Sequence, residues 1–123
     1  MNAEGGRAVN RIPLSLAGLA GASGVALAAY AAHAGGDNLR TASQMLLFHA
    51  PALLGLAALV PSAMRRLATA IMVLGLVLFC GDLVLRELAG TRLFPMAAPI
   101  GGTSLILSWL LVGLSAFFAR PSH

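Results

Sequence analysis

Three ionisable side chains fall inside or at the end of long apolar runs: His33, His49 and Asp82, with Arg86 four residues beyond Asp82. A charge in hydrocarbon is costly, so such groups mark candidate sites by default. Two imidazoles and a carboxylate brought together could hold and pass protons, or accept a cation. Asp82 also has a plainer role. On a helix, Arg86 at i+4 lies beside the carboxylate, and its stem is long enough to reach the membrane surface. If Arg86 turns to water instead, Asp82 is left to hold or share a proton with a histidine. His49 stands two residues before Pro51. That proline removes the helical bond to the Leu47 carbonyl and predicts a kink, with a freed carbonyl beside the imidazole. Irregular backbone at membrane depth recurs in transporters; a buried histidine bonded to a carbonyl is the structural alternative. His33 is a borderline interface residue.

Other chemistry finds little support. Zinc would accept two imidazoles and a carboxylate, and a bis-histidine haem would need opposed rings. His33 and His49, however, are sixteen residues apart, and no H-x-x-x-H or C-x-x-C occurs. No metal and no cofactor is therefore expected. Cys80, the single cysteine, cannot form an internal bridge and reads as a small apolar residue. Gly18-x-x-Gly21-x-x-Gly24 lies within an apolar run rather than after a strand, so it is not a nucleotide loop. G-x-S-x-G is absent. No catalytic residue is assigned, and an enzyme is not expected.

The elements that must position these side chains follow from composition. Of 123 residues, 59% are hydrophobic and 10% charged, against roughly 25% charged in ordinary soluble domains. A soluble fold could not cover itself with so few polar groups. A membrane-spanning helix needs about 20 apolar residues, and four stretches qualify: Ile12 to Ala32, Ala42 to Val60, Leu67 to Leu85 and Pro99 to Ala119. None contains Lys or Arg, and all are continuous rather than alternating. The expectation is an all-α membrane protein, a four-transmembrane-helix antiparallel bundle forming a single integral membrane domain over residues 1–123. Ala34 to Arg40 reads as a turn-rich loop, Pro61 to Arg66 as a short basic connector and Arg86 to Ala98 as a longer one. Arg7, Arg11, Arg65, Arg66 and Arg120 mark one side, and Arg40, Arg86 and Arg92 the other. The positive-inside rule then predicts a multi-pass protein of the cell (inner) membrane with both termini cytoplasmic. On this topology His33, His49 and Asp82 share the outer half of the bilayer. Ala32-His33-Ala34 resembles a signal-peptidase site, but the preceding run is long and three more follow, so retention is expected. The net charge of +4 reads as anchoring, since no basic cluster sits beside stacking aromatics; no nucleic-acid partner is implied.

Helices in lipid associate through close packing and hydrogen bonds. Ala20, Gly24, Ala28 and Ala32 form a small-residue ladder, with Ala17 and Gly21 on an adjoining face. Pro99, Gly101 and Gly102 begin the fourth run, and a helix start there would offer N–H groups to a small anion. Ser104, Ser108, Leu111 and Ser115 fall on one face of that helix. Trp109 sits mid-membrane, and its indole N–H needs a partner in the bundle or in another subunit.

Read together, Tyr30-Ala31-Ala32-His33, Phe48-His49 with Leu53-Leu54-Gly55-Leu56, Leu78-Phe79-Cys80-Gly81-Asp82, and Pro99-Ile100-Gly101-Gly102 with Trp109 carry a resemblance. From about Leu16 to Phe118 the chain resembles the YgdD-like small integral membrane protein family, a domain of unknown function. The resemblance implies a four-helix membrane protein and no established activity, substrate or cofactor. This chain departs from the family's pattern at Met45 and Leu46, where many members carry a Tyr-Gln pair, and at Asp82, where a hydroxyl residue is common. The function expected is a structural or accessory component acting through helix packing, with the lipid bilayer and a homo-oligomer or larger membrane complex as partners. The alternative is proton-linked or passive transport of a small solute or ion through His33, His49 and Asp82.

Overall fold

The computed structural model describes residues 10–118. Four helices follow one another: α1 (Arg11–Ala34), α2 (Asp37–Ala58), α3 (Ala63–Ala89) and α4 (Ala97–Ser115), the last closing in a 3-10 turn at Ala116–Phe118. Each is long and apolar enough to cross a bilayer. Local chemistry sets their ends. Gly35 and Gly36 both take positive φ, 78° and 105°, and reverse the chain in two residues. The turn-rich loop expected from Ala34 to Arg40 is therefore shorter than predicted, because Asp37 to Arg40 already form the first turn of α2. An acidic Asp37 suits the positive helix start, and it pairs with Arg40 at 2.8 Å. Ser62 caps α3 by accepting from the Arg65 N–H at 3.1 Å. Gly90, at φ 73°, ends α3 in a left-handed turn.

Cross-contacts establish the antiparallel order. The Asn10 side chain before α1 donates to the carbonyls of Ala57 and Leu59 at the end of α2. Arg65 at the start of α3 donates to Ser115 Oγ at the end of α4, 3.4 Å away. At the other end, the Gly36 turn lies against the Glu87 carboxylate. The helices form two hairpins: α1 packs along α2 and α3 along α4, while a less extensive contact between α2 and α3 joins the pairs.

Small residues make both hairpins tight. On α1, Ala17, Ala20, Gly24 and Ala31 are buried, so the predicted ladder faces α2 at its centre. Ala28 is only half-buried and Ala32 is exposed. The stripe follows the helical period of about 3.6 residues, and a strict four-residue ladder drifts off it. A Cβ on Gly24 would meet the Leu47 side chain at 2.8 Å, and one on Gly21 would lie 3.7 Å from Ala50. Between α3 and α4 the backbones nearly touch: a Cβ on Gly75 would meet the Gly101 carbonyl at 2.7 Å. Leu53, Met72, Leu76, Cys80 and Leu105 fill the centre. The outward faces carry Leu19, Val25, Phe48, Leu54, Leu74, Val77, Ile106 and Leu110, all exposed. That surface is a solvation shell for lipid, not for water.

Candidate functional site

The structure distributes the polar side chains over two separate clusters. The first joins α2 to α4. His49 is buried on α2, and its Nδ1 lies 2.7 Å from the Met45 carbonyl. Trp109 Nε1, on α4, donates to His49 Nε2 at 3.1 Å. The ring centroids are 5.8 Å apart with planes inclined at 54°. An indole nitrogen only donates, so Nε2 must be the unprotonated acceptor; a carbonyl only accepts, so Nδ1 must carry the proton. Both ring nitrogens are thus engaged, and the tautomer with the proton on Nδ1 is the one that satisfies both contacts. The helix geometry explains the first bond, since side chains lean toward the preceding turn and bring Nδ1 onto the i−4 carbonyl. The carbonyl beside the imidazole is therefore Met45's and not the Leu47 carbonyl that Pro51 leaves free; α2 stays helical through Pro51 to Ala58. Trp109 satisfies its N–H inside the bundle, as its mid-membrane position requires, while the residue as a whole is 47% exposed toward the lipid face.

The second cluster closes the far end of the α3–α4 hairpin. Asp82 is fully buried. Its Oδ2 accepts from Arg86 Nη2 at 2.6 Å and Nε at 3.1 Å, and its Oδ1 accepts from the backbone N–H of Leu93 at 2.8 Å. Arg86 remains partly exposed, its guanidinium reaching outward from the carboxylate. Asp82 therefore ties the connector between α3 and α4 to the body of α3, in addition to pairing along the helix.

His33 lies exposed in the last turn of α1 and enters neither cluster. His49 and Asp82 share no hydrogen-bond partner. Among the described residues, no three or more His, Cys, Asp or Glu side chains gather where a metal ion could sit. The outer-half convergence that the sequence left open is not formed.

The helix-start site at Pro99, Gly101 and Gly102 requires correction. α4 begins at Ala97, after Met96 in a left-handed conformation at φ 73°. Gly101 and Gly102 are then past the first turn, where helical N–H groups bond to carbonyls four residues back, and Pro99 has no N–H. Gly101 instead is buried against α3, where an added Cβ would lie 2.6 Å from the Phe79 nitrogen. It is a packing residue. The serines of α4 return their hydroxyls to their own helix: Ser104 to Ile100, Ser108 to Leu105 and Ser115 to Val112, at 2.7–2.8 Å. Beyond the Trp109–His49 and Leu93–Asp82 bonds, two further links have no signal in the sequence, because each joins residues that carry no motif: Ser43 Oγ donates to the Gly24 carbonyl at 3.1 Å, and Cys80 Sγ to the Ala42 carbonyl at 3.5 Å.

Four apolar crossings, lipid-facing side chains on every helix and polar groups turned inward onto one another define a small multi-pass helical membrane protein. The family model described as "Protein of unknown function (DUF423)" matches residues 27–102, a stretch that includes His33, His49 and Asp82. The inner membrane protein YgdD of Escherichia coli is 31% identical over 87% of this chain and 90% of its own length. A membrane protein of Haemophilus influenzae is 30% identical over 87% of this chain and 94% of its own. The chain belongs to the DUF423 family of small membrane proteins. No solved structure matches it.

Proposed function

We propose that this chain is a structural or accessory component of the inner membrane, working through helix packing with a second copy or with a larger membrane complex. The observation that carries the reading is the saturation of its buried polar groups. Both nitrogens of His49 are bonded, and both oxygens of Asp82 are bonded. Each set of bonds fixes one backbone segment against another: α2 against α4 in the first case, the α3–α4 connector against α3 in the second. Groups held in this way stabilise a shape: each nitrogen of His49 and each oxygen of Asp82 already has a partner within the bundle. The small-residue contacts at Gly24 and Gly75 serve the same end. The excess of arginine on the side of both termini supports a cytoplasmic placement of those termini.

The transport reading draws no comparable support, because His33, His49 and Asp82 occupy three separate surroundings. The test is the assembly state of the full chain extracted in mild detergent or in native lipid discs. A homo-oligomer or a reproducible stoichiometric companion is expected. A free monomer without companions at membrane-like protein density would overturn the accessory role.

A further inference from the structure

The described arginines at the two ends of the bundle differ in their partners. At the end bearing the Gly35-Gly36 turn, two of the three arginines are paired, Arg40 with Asp37 and Arg86 with Asp82, and Arg92 stands in the connector that Asp82 holds through Leu93. At the opposite end stand Arg11, Arg65 and Arg66, and none of the described carboxylates, Asp37, Asp82 and Glu87, lies there. These three arginines line one cleft of about 570 Å³ between the start of α1, the end of α2 and the start of α3. Ile12, Pro13 and Leu56 form its apolar wall. Arg65 is held in place by its bonds to the Val60 carbonyl and Ser115, whereas Arg11 and Arg66 are exposed.

We propose that this cleft is a binding site for the headgroup of an anionic phospholipid, with the phosphate among Arg11, Arg65 and Arg66 and the glycerol and upper acyl chain against Ile12, Pro13 and Leu56. Guanidinium forks match phosphate oxygens in a bidentate manner, and three of them with no described carboxylate beside them create a positive field at this end of the bundle. The apolar wall selects an amphiphile over a free ion, because a soluble phosphate leaves that wall uncovered. Basic pockets between spanning helices on the cytoplasmic side suit this class of ligand. The inference stands apart from the packing role, so its failure leaves that role untouched.

The experiment is native mass spectrometry of the full chain in a neutral detergent, titrated with dioleoyl phosphatidylglycerol or with dioleoyl phosphatidylcholine. Tighter retention of phosphatidylglycerol is expected, and sodium chloride should weaken it. At about fivefold per arginine, the double variant R11Q/R66Q should lose roughly 25-fold in affinity for phosphatidylglycerol and little for phosphatidylcholine, whereas R40Q/R92Q at the other end should lose almost nothing. R11K/R66K keeps the charge and loses the bidentate fork, so its affinity should fall between that of the unaltered chain and that of R11Q/R66Q, which separates recognition from folding. Equal retention of the two lipids by the unaltered chain would overturn the proposal. So would an equal loss in R40Q/R92Q, which would indicate unspecific attraction. Displacement of the lipid by millimolar inorganic phosphate would assign the site to the free anion and likewise overturn it.

Discussion

Replacing Gly101 by alanine tests the α3–α4 interface where it is tightest. The new Cβ would lie 2.6 Å from the Phe79 nitrogen, 2.8 Å from the Gly75 carbonyl oxygen and 3.0 Å from the Phe79 Cα. All three atoms belong to backbone, so no side-chain rotation relieves the overlap. Ordinary contact begins near 3.4 Å, and the helices must separate locally by about 0.8 Å. A radial gap of 0.5–1 Å forfeits roughly a quarter to a half of each atomic contact it opens, and overpacking of a tight core costs about 1–3 kcal/mol. Gly102 is the internal control, because its added Cβ would meet only the Phe79 ring at 3.7 Å. Both changes are glycine to alanine in one helix, so the intrinsic helix preference cancels in their difference. Gly101→Ala should therefore be about 1–3 kcal/mol less stable than Gly102→Ala. Unfolding of the two variants by titration with a denaturing detergent, followed by circular dichroism, measures that difference. Equal stability would refute the backbone-contact argument.

Further outcomes follow from the polar links. Trp109→Phe keeps most of the ring but removes the N–H donor to His49, and should cost about 0.6–1.7 kcal/mol in the same titration; an unchanged midpoint would deny that link a structural role. Relative to the unaltered protein, the indole proton resonance of Trp109 should move upfield in His49→Ala as its acceptor is lost; an unmoved resonance would contradict the bond. Asp82→Asn retains an oxygen for the Leu93 N–H and should preserve the slow hydrogen exchange of that amide, whereas Asp82→Ala should abolish it; equal exchange in both variants would contradict the assigned cap. Cys80 is buried beneath α2, so a small maleimide should label it only upon unfolding, and rapid labelling of the folded chain would contradict the packing of the core.

The chain's spans were legible because lipid imposes one requirement on every residue of a crossing: the side chain must be apolar and the backbone must bond to itself. Continuous runs therefore announce helices even though their ends do not. The start of α2 lay five residues earlier than Ala42, at Asp37, because two glycines with positive φ are enough to reverse the chain. The Asp82–Arg86 pair was equally legible, since helical spacing alone places i and i+4 together. Long-range partners were not. His49 and Trp109 are separated by 60 residues, and only the lateral order of the helices brings them together. Leu93 holds Asp82 through its backbone, a role that leaves no mark on residue type. Gly101 matters for a property that the sequence does not announce: its lack of a side chain lets α3 approach, and the helix start at Ala97, two residues before Pro99, removes the anion site.

The central claim is that His49 and Asp82 hold helices together and do not conduct. It is tested most directly by a proton-flux measurement on proteoliposomes of the unaltered chain under an imposed pH gradient and potential, beside the single variants His49→Phe and Asp82→Asn and protein-free vesicles. The account predicts dissipation no faster than in protein-free vesicles for the unaltered chain. Faster dissipation that falls in either variant would contradict it.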